Sequence, residues 1–389
     1  MVRYLKYVAR IIGVKAIYTH LQNAILKWRG YRLLSIEQTN AFMAAYAVQA
    51  IEGTRFELPR VVNCADTDVV IFETNKSRSD KVHVWDYTAP RGKDIHLSKY
   101  GSVIVQNRVL CTDWNYNSFY KDIWRADTRE KKAVTTVIAL FSQFTDGVFY
   151  GGYYDFVFLV LAKLCRIMEA FPNEDFSHTL ISYPLFNAPY ETDYLQLLNI
   201  NTANLYDSVK YNVVSQRVLT GNSAHWYPNL DDILCLKRLV QKQFKPVETA
   251  PKRVYICRSG RRRIINEAEL ITMLKKFDFV IIDDSNRSVS DQISIYYNAS
   301  FILGPHGASF SNVIWCKPGT HLFELFSPNY APDFFLYLAT LMSMEYSAFY
   351  EGVPDNKIDY LDGLVEDIYI PVAKLETCLE NIFKADIAL

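Results

Sequence analysis

From residue 253 onward the chain alternates short apolar runs with longer amphipathic ones, and this alternation limits the fold more than any other feature. VYICRS, FVIID, FILG and THLFELF read as strands. NEAELITMLKKF, SDQISIYYNA, HGASFSNVIW and DFFLYLATLMSM read as the helices that follow them. Parallel strands need a crossover of a dozen or more residues, which a helix fills, so the pattern predicts a parallel sheet covered on both faces. EDIYIPVAKLETCLENIF ends the chain as a strand and a helix.

The first half is less regular. VVIFE, KVHVWDY and SVIVQNRVLCTDW are β-rich, with polar breaks between them. Beyond residue 130 come the buried run AVTTVIALFSQF, a long apolar helix opening near Gly151-Gly152, the strand LISYP, the helix DYLQLLNI and the strand YNVVSQRVL. A stretch from HWYPNL through the helix LDDILCLKRLVQKQF to KPVETAPK separates the halves. With 389 residues, two α/β domains joined over 236–252 are expected.

The 42 basic and 42 acidic residues cancel, which argues against a general nucleic-acid binder. The seven cysteines are widely spaced without a C-x-x-C, so neither a zinc site nor a disulfide framework is expected, and a reducing compartment fits. No secretory h-region or membrane span is read. Residues 1–36 hold seven Lys and Arg and no acid. Over 3–18, Arg3, Lys6 and Arg10 oppose Leu5, Val8, Ile11 and Ile12 on a basic amphipathic helix. Such a helix fits an anionic membrane interface and packing on its own core equally well.

Ligands of open α/β sheets bind beyond the C-terminal strand ends, which selects three places. Arg258-Ser259 and Arg261 to Arg263 follow VYIC, four arginines in six positions, able to grip phosphate oxygens two at a time. Gly304-Pro305-His306-Gly307-Ala308 joins a strand to a helix. There the N–H groups of Ala308, Ser309 and Phe310 can cradle phosphate and His306 adds a donor. Glu324 ends the next strand, where an acid can bind ribose hydroxyls. Together these describe a nucleotide-diphosphate site. Asp66-Thr67-Asp68 has a metal–diphosphate spacing, although a turn before VVIFE accounts for it more simply. Asp155 falls in the first turn of the apolar helix, where the helix dipole favours a carboxylate.

The stretch 254–326 resembles the C-terminal half of glycosyltransferase family 61. The family pattern is met in order by Arg258-Ser259, Arg262-Arg263, Asn266-Glu267, Gln292, Gly304, His306-Gly307-Ala308, Asn312, Pro318-Gly319 and Glu324. The family's tyrosine-aromatic-His-aromatic segment falls on Tyr153 to Phe156, with Asp155 in place of His and Ala162-Lys163 in place of Pro-Arg.

The resemblance implies the α/β GT-B fold, two Rossmann-like domains facing a central cleft. It places an acceptor-side domain at 1–235 and a nucleotide-sugar domain at 253–371. The C-terminal helix at 372–389 can cross back to the N-terminal domain. The implied activity is inverting transfer from a nucleotide sugar, UDP-linked in the family's usual case, to a glycan or lipid-linked saccharide in surface polysaccharide synthesis. Arg258, Arg262 or Arg263 and the backbone after His306 can meet the leaving charge without a metal, and a neutral chain with a basic N-terminus suits the cytoplasm or the inner membrane face. Arg258, Ser259, Arg262, Arg263, Gly304, His306, Gly307, Ala308, Ser309 and Glu324 would bind the donor, and Asp155 would be the base. The alternative is an inactive glycosyltransferase-like binding protein, suggested by the His-to-Asp change.

Overall fold

The computed structural model describes residues 14–78, 81–113, 119, 127–142, 152–223, 225–283, 287–355, 357–358 and 360–387. Most of the basic segment 3–18 and Asp146 lie outside them. No helix among the described residues is long and apolar enough to cross a membrane. The chain forms two compact units: 1–53, 80–191 and 199–236 in one, and 54–79, 192–198 and 237–389 in the other.

The first unit is built on a ten-stranded mixed sheet. Its first described helix, α1, is Val14–Trp28. The parallel part of the sheet holds β1 (Glu130–Ala139), β2 (Leu180–Tyr183), β3 (Leu205–Asp207) and β4 (Tyr211–Gly221), in the order β3-β2-β1-β4. β1 and β4 run in register from Glu130↔Tyr211 to Ala139↔Thr220. Beyond β4 the sheet turns antiparallel, through Val82–Thr88 and Ile95–Leu97. The chain leaves β1 for β2 on one side and returns to β4 on the other. That reversal is the switch point at which doubly wound sheets open a crevice. The helical run α2 follows β1. It opens as Tyr153–Asp155, passes through π-helical Phe156–Leu161 and continues as Ala162–Ala170. Every residue from Tyr154 to Ile167 is buried.

The second unit carries a seven-stranded sheet. Its parallel strands are β5 (Lys252–Cys257), β6 (Phe279–Asp283), β7 (Ala299–Pro305), β8 (His321–Leu325) and β9 (Glu345–Phe349), ordered β6-β5-β7-β8-β9. Here the switch point lies between β5 and β7. Alternate residues Tyr255, Leu303, Phe323, Leu325 and Phe349 form one core face. Leu270 and Leu274 of the helix Glu267–Leu274 cover it, with Leu375, Leu379 and Phe383 of the final helix α3 (Val372–Ile387). Each such side chain contributes roughly 1.5–3 kcal/mol when buried. The final helix thus packs on the sheet of its own unit.

Three sequence expectations change. Residues 54–79, read as part of the first domain, belong to the second unit. There Val61–Asn63 pairs parallel with β9, and Asp66–Phe72 pairs antiparallel with Val61–Asn63. The Asn63 amide fixes the join, donating to Tyr350 O at 2.9 Å and accepting from Tyr350 N at 3.3 Å. The helix read over DFFLYLATLMSM ends at Leu341, and Glu345–Phe349 beyond it is β9. The last expected strand shrinks to one bridge, Ile264↔Ile368. Alternation identifies a strand, but partners nearly 300 residues apart leave no local signal.

Candidate active site

At the switch point of the second unit, β5 runs into Arg258 and β7 into His306-Gly307. A Cβ on Gly307 would lie 1.7 Å from Arg258 Nη1, so the guanidinium rests directly on the glycine backbone. Gly307 itself is extended, with φ −178°, so it is a glycine for clearance and not for conformation. Arg258 Nε donates to Arg261 O at 2.5 Å, which pins the fork against the turn. Gly304 has a different job. A Cβ there would meet Ile256 O at 2.8 Å and the Phe310 ring at 3.2 Å, so it permits close packing of β5 and the Ala308–Trp315 helix against β7.

His306 is buried among Phe326, Tyr330, Phe334 and Phe335, its ring 5.1–6.1 Å from theirs. Its Nδ1 lies 2.7 Å from Glu324 Oε1, and Tyr346 donates its hydroxyl to Glu324 Oε2 at 2.6 Å. Glu324 is wholly buried, and burial pushes its carboxyl up to about 8. Burial, aided by Arg262 and Arg258, holds His306 well below 6.5. The ring is therefore neutral at pH 7. With Glu324 protonated, its O–H donates to Nδ1 and the ring N–H sits on Nε2. Both Glu324 oxygens are spoken for, so here it orients His306; sequence reasoning had aimed it at a ribose.

The remaining arginines separate. Arg262, buried and at a left-handed φ of 60°, donates from Nε to His306 O at 3.0 Å and from Nη1 to Leu364 O at 2.6 Å. A left-handed non-glycine costs about 1–2 kcal/mol, which these bonds offset. Arg262 thus holds the turn from behind. Arg263 turns outward to pair with Asp367 at 2.8 Å. Ser259 is exposed, and Ala308 and Ser309 are half-buried, with Ser309 O accepting from Tyr296 at 3.0 Å. Of the three N–H groups expected to cradle phosphate, that of Phe310 donates to Gly307 O. Gln292 and Asn312 meet at 2.8 Å, bracing the Ala308–Trp315 helix. Asp66 and Asp68 lie on an exposed strand start, where Asp68 N–H donates to Asp66 Oδ1.

In the first unit, Asp155 Oδ2 accepts from Gly152 N–H at 3.0 Å and Oδ1 from Trp226 Nε1–H at 3.0 Å. The Tyr154 ring tilts over Trp226, 4.4 Å between centroids. Asp155 is buried, and the π-helical stretch begins at the next residue. Such stretches are rare and frequent at functional sites. Sequence reasoning missed Trp226, set aside in a linker, and Tyr346. Tyr346 lies on β9, and no local sequence signal joins its hydroxyl to Glu324.

The family model described as "Glycosyltransferase 61" matches residues 153–323. The chain carries a glycosyltransferase 61 region. The match opens two residues before Asp155 and closes one before Glu324, so it takes in every candidate residue but Glu324. Similar curated proteins are the Protein O-linked-mannose beta-1,4-N-acetylglucosaminyltransferase 2 chains of Xenopus laevis, Bos taurus and Homo sapiens. The Xenopus laevis chain is 31% identical over 117 residues, covering 28% of this chain and 20% of the relative. The Bos taurus chain is 30% identical and the Homo sapiens chain 28%, each over 111 residues, 26% of this chain and 19% of the relative. This chain thus spans about a fifth of the length of the curated relatives it matches.

Proposed function

We propose that the chain is an inverting, metal-independent glycosyltransferase that moves a sugar from a UDP-linked donor to a glycan or lipid-linked saccharide in surface polysaccharide synthesis. The observation that carries this reading is the Arg258 guanidinium seated on Gly307 beside a neutral, oriented His306, at a sheet switch point inside the glycosyltransferase 61 match. In the GT-B division of labour, the second unit holds the nucleotide sugar and the first unit the acceptor.

The acceptor hydroxyl oxygen attacks the anomeric carbon from the face opposite the leaving group, and Asp155 takes its proton. As the new bond forms, the bond from the anomeric carbon to the diphosphate breaks and its electron pair leaves with UDP. Arg258 meets that developing charge as a fixed cation and the His306 ring as a neutral donor, so the transition state gains more than the ground state. The relatives' names make N-acetylglucosamine the first sugar to try.

The test is a thermal-shift and hydrolysis screen of UDP-, GDP- and CMP-sugars. Stabilisation and turnover with one UDP-sugar is the expected result; a preference for GDP- or CMP-sugars would overturn the donor. A second reading, an inactive binding protein, is favoured by the two hydrogen bonds already made by Asp155. UDP binding without turnover on any sugar would select it.

A further inference from the structure

We propose that the C-terminal end of α1 and the cation-lined cavity beside it dock on an anionic lipid surface, the cavity taking a headgroup phosphate. α1 turns Gln22 and Leu26 inward, Leu26 packing with Ile104, Val109 and Phe119. Leu21 and Trp28 point the other way, 54% and 85% exposed. They lie seven residues apart, hence on one line of the helix, with exposed Ala24 between them. A lone exposed aliphatic is ordinary, but an indole standing almost free beside a leucine is a patch that wants an occupant. Indole suits a lipid–water boundary, with an apolar body and one N–H for the wet side.

The surroundings decide the charge of that occupant. Lys27, Arg29 and Arg32 flank Trp28 and are exposed, and no acid precedes Glu37 in the sequence. Leu26 and Arg29 also line a cavity of about 1210 Å³. Lys93, Lys99 and Arg108 add cations to its wall, against Asp94 and Asp127. Asp127 is already neutralised: Arg129 donates to it from Nε at 2.9 Å and from Nη2 at 2.7 Å, and Asn212 adds a third bond at 2.9 Å. Asp94 accepts from Gln216 Nε2 at 2.6 Å. The wall is left with an excess of positive charge, and its Arg29 follows Trp28 directly in the sequence. A lipid surface offers an acyl boundary for the indole and phosphate for the cations.

This inference does not rest on the glycosyltransferase reading. Its test is co-sedimentation of the full chain with vesicles of phosphatidylcholine alone and of phosphatidylcholine with phosphatidylserine. The chain should sediment with the anionic vesicles only, and added salt should release it. Trp28→Ala should weaken binding roughly tenfold. The double variant Lys93→Glu/Lys99→Glu should weaken it about 25-fold or more, at about fivefold per lost cation. Thermal midpoints of the variants should match the parent, since these side chains lie at the surface. Equal sedimentation with both vesicle types, none with either, or anionic binding that both variants retain would overturn the proposal. So would saturable binding of inorganic phosphate, followed by calorimetry, without vesicle binding: the cavity would then serve a free anion.

Discussion

The two units share a sheet plan yet use their switch points in opposite ways. At the ends of β1 and β4 the crevice is filled by the protein's own charges. Lys163 of α2, 1% exposed, donates to Phe141 O at 2.8 Å. Arg166, also 1% exposed, reaches both oxygens of Asp232 at 2.7 Å and Asn222 O at 2.5 Å. Asp113 accepts from Ser142 nearby. Burial pushes the Lys163 ammonium down to about 8, as expected where charge is enclosed for architecture. At the ends of β5 and β7 the protein instead leaves a glycine bare and lays one half-buried guanidinium across it. The same topology thus carries a buried Arg166–Asp232 pair in one unit and an arginine laid on a glycine in the other.

The largest effect expected comes from Asp155, the one group at the closed end assigned to chemistry. Asp155→Asn keeps an acceptor for Trp226 and removes the base. Transfer should fall roughly 10²–10⁴-fold, while UDP affinity holds, because the nucleotide is assigned to the other unit. Steady-state kinetics with UDP calorimetry checks this. Near-normal turnover would make Asp155 a helix cap and nothing more.

Next is the ion pair. Arg166→Ala strands Asp232 without its partner in a buried place, which should cost about 3–5 kcal/mol by urea denaturation. A loss under about 0.5 kcal/mol, the range of a surface change, would mean that this switch point is not sealed as described.

A smaller effect concerns pH. Glu324 titrates at about 8 in the folded chain against an ordinary 4.5, so the folded state holds the extra proton between those values. Stability should therefore fall as pH rises from 4.5 toward 8. Glu324→Gln, which cannot titrate, should flatten that part of the melting-temperature profile. An unchanged slope would show that Glu324 is already ionised in the fold.

Legibility in the sequence followed the range of the interaction. β5 to β8 and their helices were readable because alternation is local, and Arg258, His306 and Glu324 fell at strand ends where the topology puts ligands. The division of roles among the arginines was not. Which of Arg258, Arg262 and Arg263 faces the turn depends on one left-handed residue and on Leu364 and Asp367, a hundred residues on. Trp226 and Tyr346 were missed for the same reason: each finds its carboxylate only after distant strands are set side by side.

Whether the switch point of the second unit holds the nucleotide is asked directly by UDP calorimetry on three variants. Arg258→Ala should weaken UDP binding by roughly 1.5–3 kcal/mol, about ten- to hundredfold. Gly307→Ala should weaken it too, because the new methyl takes the place of the guanidinium. Arg263→Ala should leave it unchanged, since that side chain is turned to Asp367. Parent-like UDP affinity in both Arg258→Ala and Gly307→Ala would contradict the account.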